Sequence, residues 1–176
     1  MSTSRPSAPS PRKDRWPRPV RLGALSLLLA WPLLGSAGPL AVGDALAPLS
    51  LSDQHDRAVQ VDDRTRLVVF SAEKQVSEMV SRVLSAAPPD TLDRLGAVYV
   101  SDISGMPAII TQVFALPRWR QLPFSTALAR DEAVTADLPR QPGCATVLTL
   151  RNGEVASIQY VMDAAQLQRA MGVPVP

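Results

Sequence analysis

From Gly43 onward the apolar positions change period in a definite succession. Leu49-Ser50-Leu51-Ser52-Asp53 alternates, Asp56-Arg57 interrupts, and Val59-Gln60-Val61 alternates again, which predicts two short strands joined by a polar turn. Leu67-Val68-Val69-Phe70 is a continuous apolar run with two valines, the pattern of a central strand covered on both faces. After Ser71 the period becomes helical: Val76, Met79, Val80, Val83 and Leu84 fall on one face, and Pro88-Pro89 ends the helix. Leu95–Val100 reads as the next strand, parallel to the first through a right-handed crossover. Pro107 opens a second helix, Ile109, Ile110, Val113 and Phe114 are expected to supply its buried face, and Pro117 is expected to close it. Phe124–Leu128 reads as a short edge strand and Glu132–Leu138 as a weak helix. Ala145–Leu150 and Glu154–Tyr160 flank Asn152-Gly153, the strongest hairpin signal in the chain. Asp163 and Gln166 open a last helix that buries Leu167, Ala170 and Met171.

The N-terminal part has a different composition. Residues 1–21 hold Arg5, Arg12, Lys13, Arg15, Arg18 and Arg21 against Asp14 alone, and Leu22–Leu34 is an apolar run of 13 residues followed by Gly35-Ser36-Ala37. This is the form of a secretory signal with cleavage after Ala37, and the run is shorter than the roughly 20 residues a spanning helix needs. An uncleaved anchor is the alternative, since apolar character returns at Leu40–Val42. Residues 1–37 are thus read as leader and 38–176 as a single domain, exported to the periplasm. The leader also carries the basic charge: of 18 basic and 16 acidic residues in the chain, it holds six and one, so the domain has a net charge of about −3. That balance, without a basic stripe interleaved with aromatics, gives no support to nucleic-acid binding. Cys144 is the only cysteine, so the chain can form no intramolecular disulfide.

The order strand, helix, strand, helix, hairpin, helix, together with three local sequences, resembles the thioredoxin superfamily in its peroxiredoxin-like branch. Gly43-Asp44 through Leu49–Gln54 is similar to the family's entry strand, Leu67–Phe70 with Ser71-Ala72-Glu73 to the strand that delivers the active-site loop, and Leu148–Val155 to its hairpin. The segment with Pro123-Phe124 and Asp131 is similar to the peroxiredoxin-like insertion. The resemblance covers roughly residues 42–172 and implies an α/β fold: a thioredoxin-like three-layer α/β/α sandwich with a mixed central sheet and an N-terminal β-hairpin. It also places Gln75 and Glu78 where a Cys-x-x-Cys pair would stand, and neither side chain can form the thiolate that attacks a disulfide or peroxide. Ala145 falls at the family's cis-proline position, where a trans bond is expected. Ser71, Gln75, Glu78, Cys144 and Ala145 would then mark a vacated active-site surface.

Cys144 is the one candidate catalytic residue, set by the same alignment beside the vacated helix N-terminus, where Gln75 and backbone amides could polarise a thiolate. Its other reading is a small hydrophobe at a strand start. Asp53-Gln54-His55-Asp56 has the composition of a metal site, but it is better explained as turn chemistry, and no metal is expected. Glu73, Lys74 and Glu78 fit either a recognition surface or the solvated first turns of a helix. Trp119, between Arg118 and Arg120, fits a lid on the core better than an exposed anchor. These features favour a noncatalytic binding or scaffolding domain, with a periplasmic protein or small ligand as partner and no cofactor. A single-cysteine redox enzyme is the alternative. A flavin-dependent dehydrogenase, the third class weighed, lacks any Gly-x-Gly-x-x-Gly after a strand.

Overall fold

The computed structural model describes residues 38–173, and the leader with its apolar run lies outside them. Strands β1 (Leu49–Ser52) and β2 (Ala58–Val61) pair antiparallel as predicted, closed by a turn in which the Asp53 carboxylate accepts from the N–H groups of His55 and Arg57. Strand β3 (Leu67–Ser71) is buried along its whole length, flanked by β4 (Ala97–Asp102) and β6 (Ala145–Arg151). With β5 (Ala127–Ala129) and β7 (Glu154–Val161) these form one mixed sheet of seven strands in the order β2-β1-β5-β4-β3-β6-β7. The hairpin turn has positive φ at both Asn152 (53°) and Gly153 (81°), as a type I′ turn requires.

Helix α1 (Lys74–Ala86) buries the five residues its period predicts, Val76, Met79, Val80, Val83 and Leu84. Each contributes roughly 1.5–3 kcal/mol on leaving water. Short helix α2 (Thr91–Leu95) ends at Gly96, whose φ of 58° breaks the helix, so Leu95 belongs to α2 and β4 starts two residues later than expected. The connections from β3 to β4 and from β4 to β5 advance in the same direction across the sheet, so right-handed crossovers put both on one face. Helices α1 and α5 (Ala164–Met171) pack there with Val69, Tyr99 and Val147. The other face is covered by Leu40, Leu46 and Leu138, packed on Val68, Phe70, Val100 and Leu148.

Three expectations need correction. The strand at 124–128 is no edge: β5 lies inside the sheet between β4 and β1, and the edges are β2 and β7. The weak helix at 132–138 is a single 3-10 turn, Glu132–Thr135, capped by Asp131. The third correction concerns the helical segment after Pro107, which runs as α3 (Ala108–Ile110), a π-turn (Thr111–Ala115) and α4 (Leu116–Trp119). In it Ile109, Ile110, Val113 and Phe114 are exposed, and Thr111 and Leu116 are buried in their place. The N–H of Leu116 donates to the carbonyl of Thr111, five residues back. This wide turn brings i and i+5 into line, so Thr111 and Leu116 share the inner face. It also carries the helix past Pro117, which has no N–H to give.

Candidate functional site

The antiparallel register of β3 on β6 pairs Phe70 with Thr146, and continuing it brings Cys144 opposite Ala72, at the end of the sheet where α1 begins. Chain topology thus sets the Cys144 thiol beside the start of α1. Cys144 is 8 % exposed. It lines a cavity of about 110 Å³ with Phe70, Ala72, Glu73, Arg140 and Thr146.

Two loops close this cavity. The Glu73 carboxylate, just before α1, accepts a hydrogen bond of 2.9 Å from the N–H of Gly143. That bond ties the loop ahead of β6 to the loop ahead of α1. Gly143 itself has a φ of 72°, which disfavours a side chain there. On the other side Arg140 lies over the Phe70 ring, 5.3 Å from its centroid, and donates to the carbonyl of Thr135 at 2.8 Å. Its guanidinium also stands 3.6 Å from the carboxylate of Asp102, a buried group that accepts from the Thr135 hydroxyl and from the N–H and hydroxyl of Ser104. The charge of Arg140 is therefore committed to Asp102 and Thr135, and its stem and ring contact wall the cavity.

The other residues of the supposed active-site surface separate into two groups. Gln75 and Glu78 are exposed on α1 and outside the cavity, with Glu78 3.9 Å from Lys74, so Gln75 is not in place to polarise the Cys144 sulfur. Ser71 and Ala145 are fully buried and belong to no surface. The Ser71 hydroxyl pairs with those of Ser77 (2.9 Å) and Tyr99 (3.0 Å) beneath α1. Burial raises the Tyr99 phenol above its ordinary value, against the opposing effect of its serine partners, and keeps it neutral. The peptide bond before Ala145 is trans, as expected.

Arg140 and Asp102 carry the site's geometry and were not singled out from the sequence. Only Arg140 gave a local signal, a lone cation in the turn Pro139-Arg140-Gln141-Pro142-Gly143. In the Asp53–Asp56 turn, Gln54 is buried, donating to the Phe124 carbonyl (2.7 Å) and accepting from the Thr126 N–H (2.9 Å). Both Asp53 oxygens are taken, Oδ1 by the backbone and Oδ2 by the Ser125 hydroxyl at 3.3 Å. Among the described residues no group of three His, Cys, Asp or Glu side chains could hold a metal ion, and no helix is long and apolar enough to cross a membrane.

No known protein family matches the chain, and no curated protein matches its sequence. Solved structures do. The peroxidoxin BcpB of Mycobacterium tuberculosis matches with a TM-score of 0.51 at 14 % identity, over 76 % of this chain and 95 % of its own. StoA of Bacillus subtilis matches with a TM-score of 0.50 at 12 % identity, over 70 % and 96 %. At such identity the likeness is one of fold: the chain has a thioredoxin-like α/β fold.

Proposed function

We propose that the chain is an exported binding or scaffolding protein that uses the thioredoxin-like groove without thiol exchange. One observation carries this reading: the only thiol, Cys144, is buried behind the bond from Gly143 to Glu73, while Gln75 and Glu78, where the family resemblance would put the exchanging pair, carry no sulfur. A cavity of about 110 Å³ is well below the roughly 300–1,000 Å³ of small-molecule sites. A wider, more open cavity of about 370 Å³ is lined by Pro39, Leu138, Arg140 and Tyr160, so the partner is a protein, a peptide or a small ligand, and the periplasmic setting rests on the leader.

The test is the alkylation rate of Cys144 as a function of pH, with Cys144→Ser as blank. Reaction about a hundredfold slower in the folded protein than in urea supports a packed, unreactive thiol. A second reading, a single-thiol redox enzyme, draws on the shared lining of Cys144 and Arg140. Fast alkylation with an apparent pKa well below the free-thiol value of about 8.5, together with peroxide consumption lost in Cys144→Ser, would establish it and end the first.

A further inference from the structure

The two edges of the sheet are finished differently. Strand β2 is four residues long and lies between Arg57 and Asp62, and shortness and flanking charge are what keep an edge from pairing. Strand β7 is eight residues long, and from Val155 to Met162 it holds no charged residue and no proline. Its first part is already taken by an extended segment of the chain itself. The N–H of Gly43 donates to the carbonyl of Val155 at 2.8 Å, the N–H of Val155 to the carbonyl of Asp44 at 2.9 Å, and the N–H of Leu46 to the carbonyl of Gly153 at 2.9 Å. Upstream of Gly43 the chain turns away, and the N–H of Leu40 bonds the carbonyl of Asp137 instead. A bulge at Ala156 separates this covered part from the rest. Beyond it, Ser157–Val161 pairs with β6 on one side and, among the described residues, with no strand on the other. The open part borders the wider cavity. Tyr160, 42 % exposed, stands in a row with Thr146 and Phe70 across the sheet and, with Pro39, Leu138, Pro139 and Glu132, lines that space of about 370 Å³.

We propose that β7 takes an extended segment of another protein as an added strand along Ser157–Val161, and that the cavity at Tyr160 receives one basic side chain of that segment. A row of unpaired backbone N–H and C=O groups is met in full only by another extended backbone, and a pocket beside the edge then selects a side chain. The segment from Gly43 to Leu46 already pairs in this way on the adjoining length of β7. Charge selects the side chain. Residues 130–140 and 151–163, which border the edge and the cavity, hold five acidic residues, Glu132 among them, against three arginines. Two of these arginines, Arg130 and Arg140, are paired with Asp56 and Asp102, acids beyond those five. The net charge of about −3 on the whole domain has the same sign. A lysine or arginine stem would lie along Leu138 and the prolines with its charge toward Glu132. A second copy of this chain supplies no such side chain, since its own β7 is uncharged from Val155 to Met162. The inference rests on the reading of the chain as a binding protein and gives the form of its partner, and no part of it needs Cys144.

The test presents the full chain with a displayed library of random peptides about seven residues long, within the usual length of a strand. The most enriched peptide is synthesised with a dye, and its binding is read by anisotropy. Enriched sequences should be β-branched at alternate positions and carry lysine or arginine at one. N-methylation of every second residue should abolish binding in one phase and change it less than about twofold in the other, because only alternate N–H groups of an added strand face its partner. Bound peptide should slow amide exchange within 157–161 at least about tenfold and leave 153–155, already bonded, unchanged. Glu132→Gln should weaken binding about threefold and Tyr160→Thr about tenfold. Both positions are exposed, and unchanged thermal midpoints confirm that the variants are folded. Protection of the loop 140–144 in place of β7 would put the peptide in the Cys144 groove, which overturns this site and leaves the binding reading standing. An equal effect of the two N-methyl phases, or a library that yields no enriched peptide, also overturns it. So does protection of β7 that grows with protein concentration in the absence of peptide, the result for a second copy.

Discussion

If the bond from Gly143 to Glu73 is what closes the Cys144 cavity, its removal should be readable at the sulfur. Glu73→Ala deletes the carboxylate that accepts this N–H at 2.9 Å. Hydrogen bonds to charged groups contribute about 1.5–3 kcal/mol in protected settings. This one is exposed to solvent, which brings its share down to about 1 kcal/mol. When loop opening and closing are faster than alkylation, the observed rate is the open fraction multiplied by the rate of the free thiol. A loss of about 1 kcal/mol then raises the open fraction, and the alkylation rate, about fivefold. Glu73→Gln keeps a carbonyl oxygen as acceptor and should raise it less than twofold, a much smaller step. The assay is the pseudo-first-order rate of iodoacetamide labelling at fixed pH, beside the urea midpoint of each variant. If labelling follows the midpoint alone, access comes through global unfolding and the loop bond is not the gate. The gate is equally refuted if Glu73→Ala labels at the wild-type rate, or if wild-type Cys144 already reacts as fast as in urea.

Gln54→Leu should be the costliest single change outside the hydrophobic core. It leaves the Phe124 carbonyl and the Thr126 N–H buried and unpaired, a loss of about 2–4 kcal/mol, visible as a lowered urea midpoint with an unchanged slope. Asp53 predicts an acid dependence. Burial pushes its carboxyl up, but the N–H groups of Arg57 and His55 and the Ser125 hydroxyl together pull it further down, below the ordinary carboxylate value. A depressed folded pKa means stability that is complete above the unfolded value of about 3.9 and is lost as pH falls through the folded one. Asp53→Asn should therefore be less stable at pH 7 and show a shallower decline on acidification, measured by urea midpoints at successive pH values. Asn152→Ala, at a φ of 53°, should cost about 1 kcal/mol and lower the thermal midpoint by a few degrees.

Elements whose reasons are local could be read from the chain. Helix α1 shows its buried face because all five apolar positions obey one period, and the β6–β7 turn shows itself because Asn-Gly accepts positive φ. Cys144 was placed near the start of α1 only through the family resemblance, which aligns both the hairpin turn and the strand end before α1. What escaped depends on partners far along the chain. The hydroxyl of Ser71 is satisfied by Tyr99, 28 positions away, and Gln54 by Phe124 and Thr126, 70 and 72 positions away. A polar residue next to a turn signal reads as exposed until such a partner is known.

The segment 108–119 differs in kind, because there the local rule itself gives the wrong answer. An α-helical period joins Ile109, Ile110, Val113 and Phe114 into a stripe that any amphipathic reading turns inward. Pro117 changes the period. It cannot donate to the carbonyl of Val113, four residues back, and the chain accommodates this by bonding Leu116 to Thr111 across five. With that turn in place, the inner positions become Thr111 and Leu116, both buried, and Leu116 packs with Ile103 and Leu128. Thr111 satisfies its hydroxyl on the Pro107 carbonyl at 3.3 Å, so its burial leaves no polar atom unpaired. The exposure of Ile109, Ile110, Val113 and Phe114 is the complement of this choice. Replacing Pro117 with Ala restores the N–H needed for an α-turn, and should draw Val113 and Phe114 toward the core. An environment-sensitive dye on Phe114→Cys, in a Cys144→Ser background, would then report a drier site. If the dye stays as solvated as in the parent protein, the proline is not the cause of the π-turn.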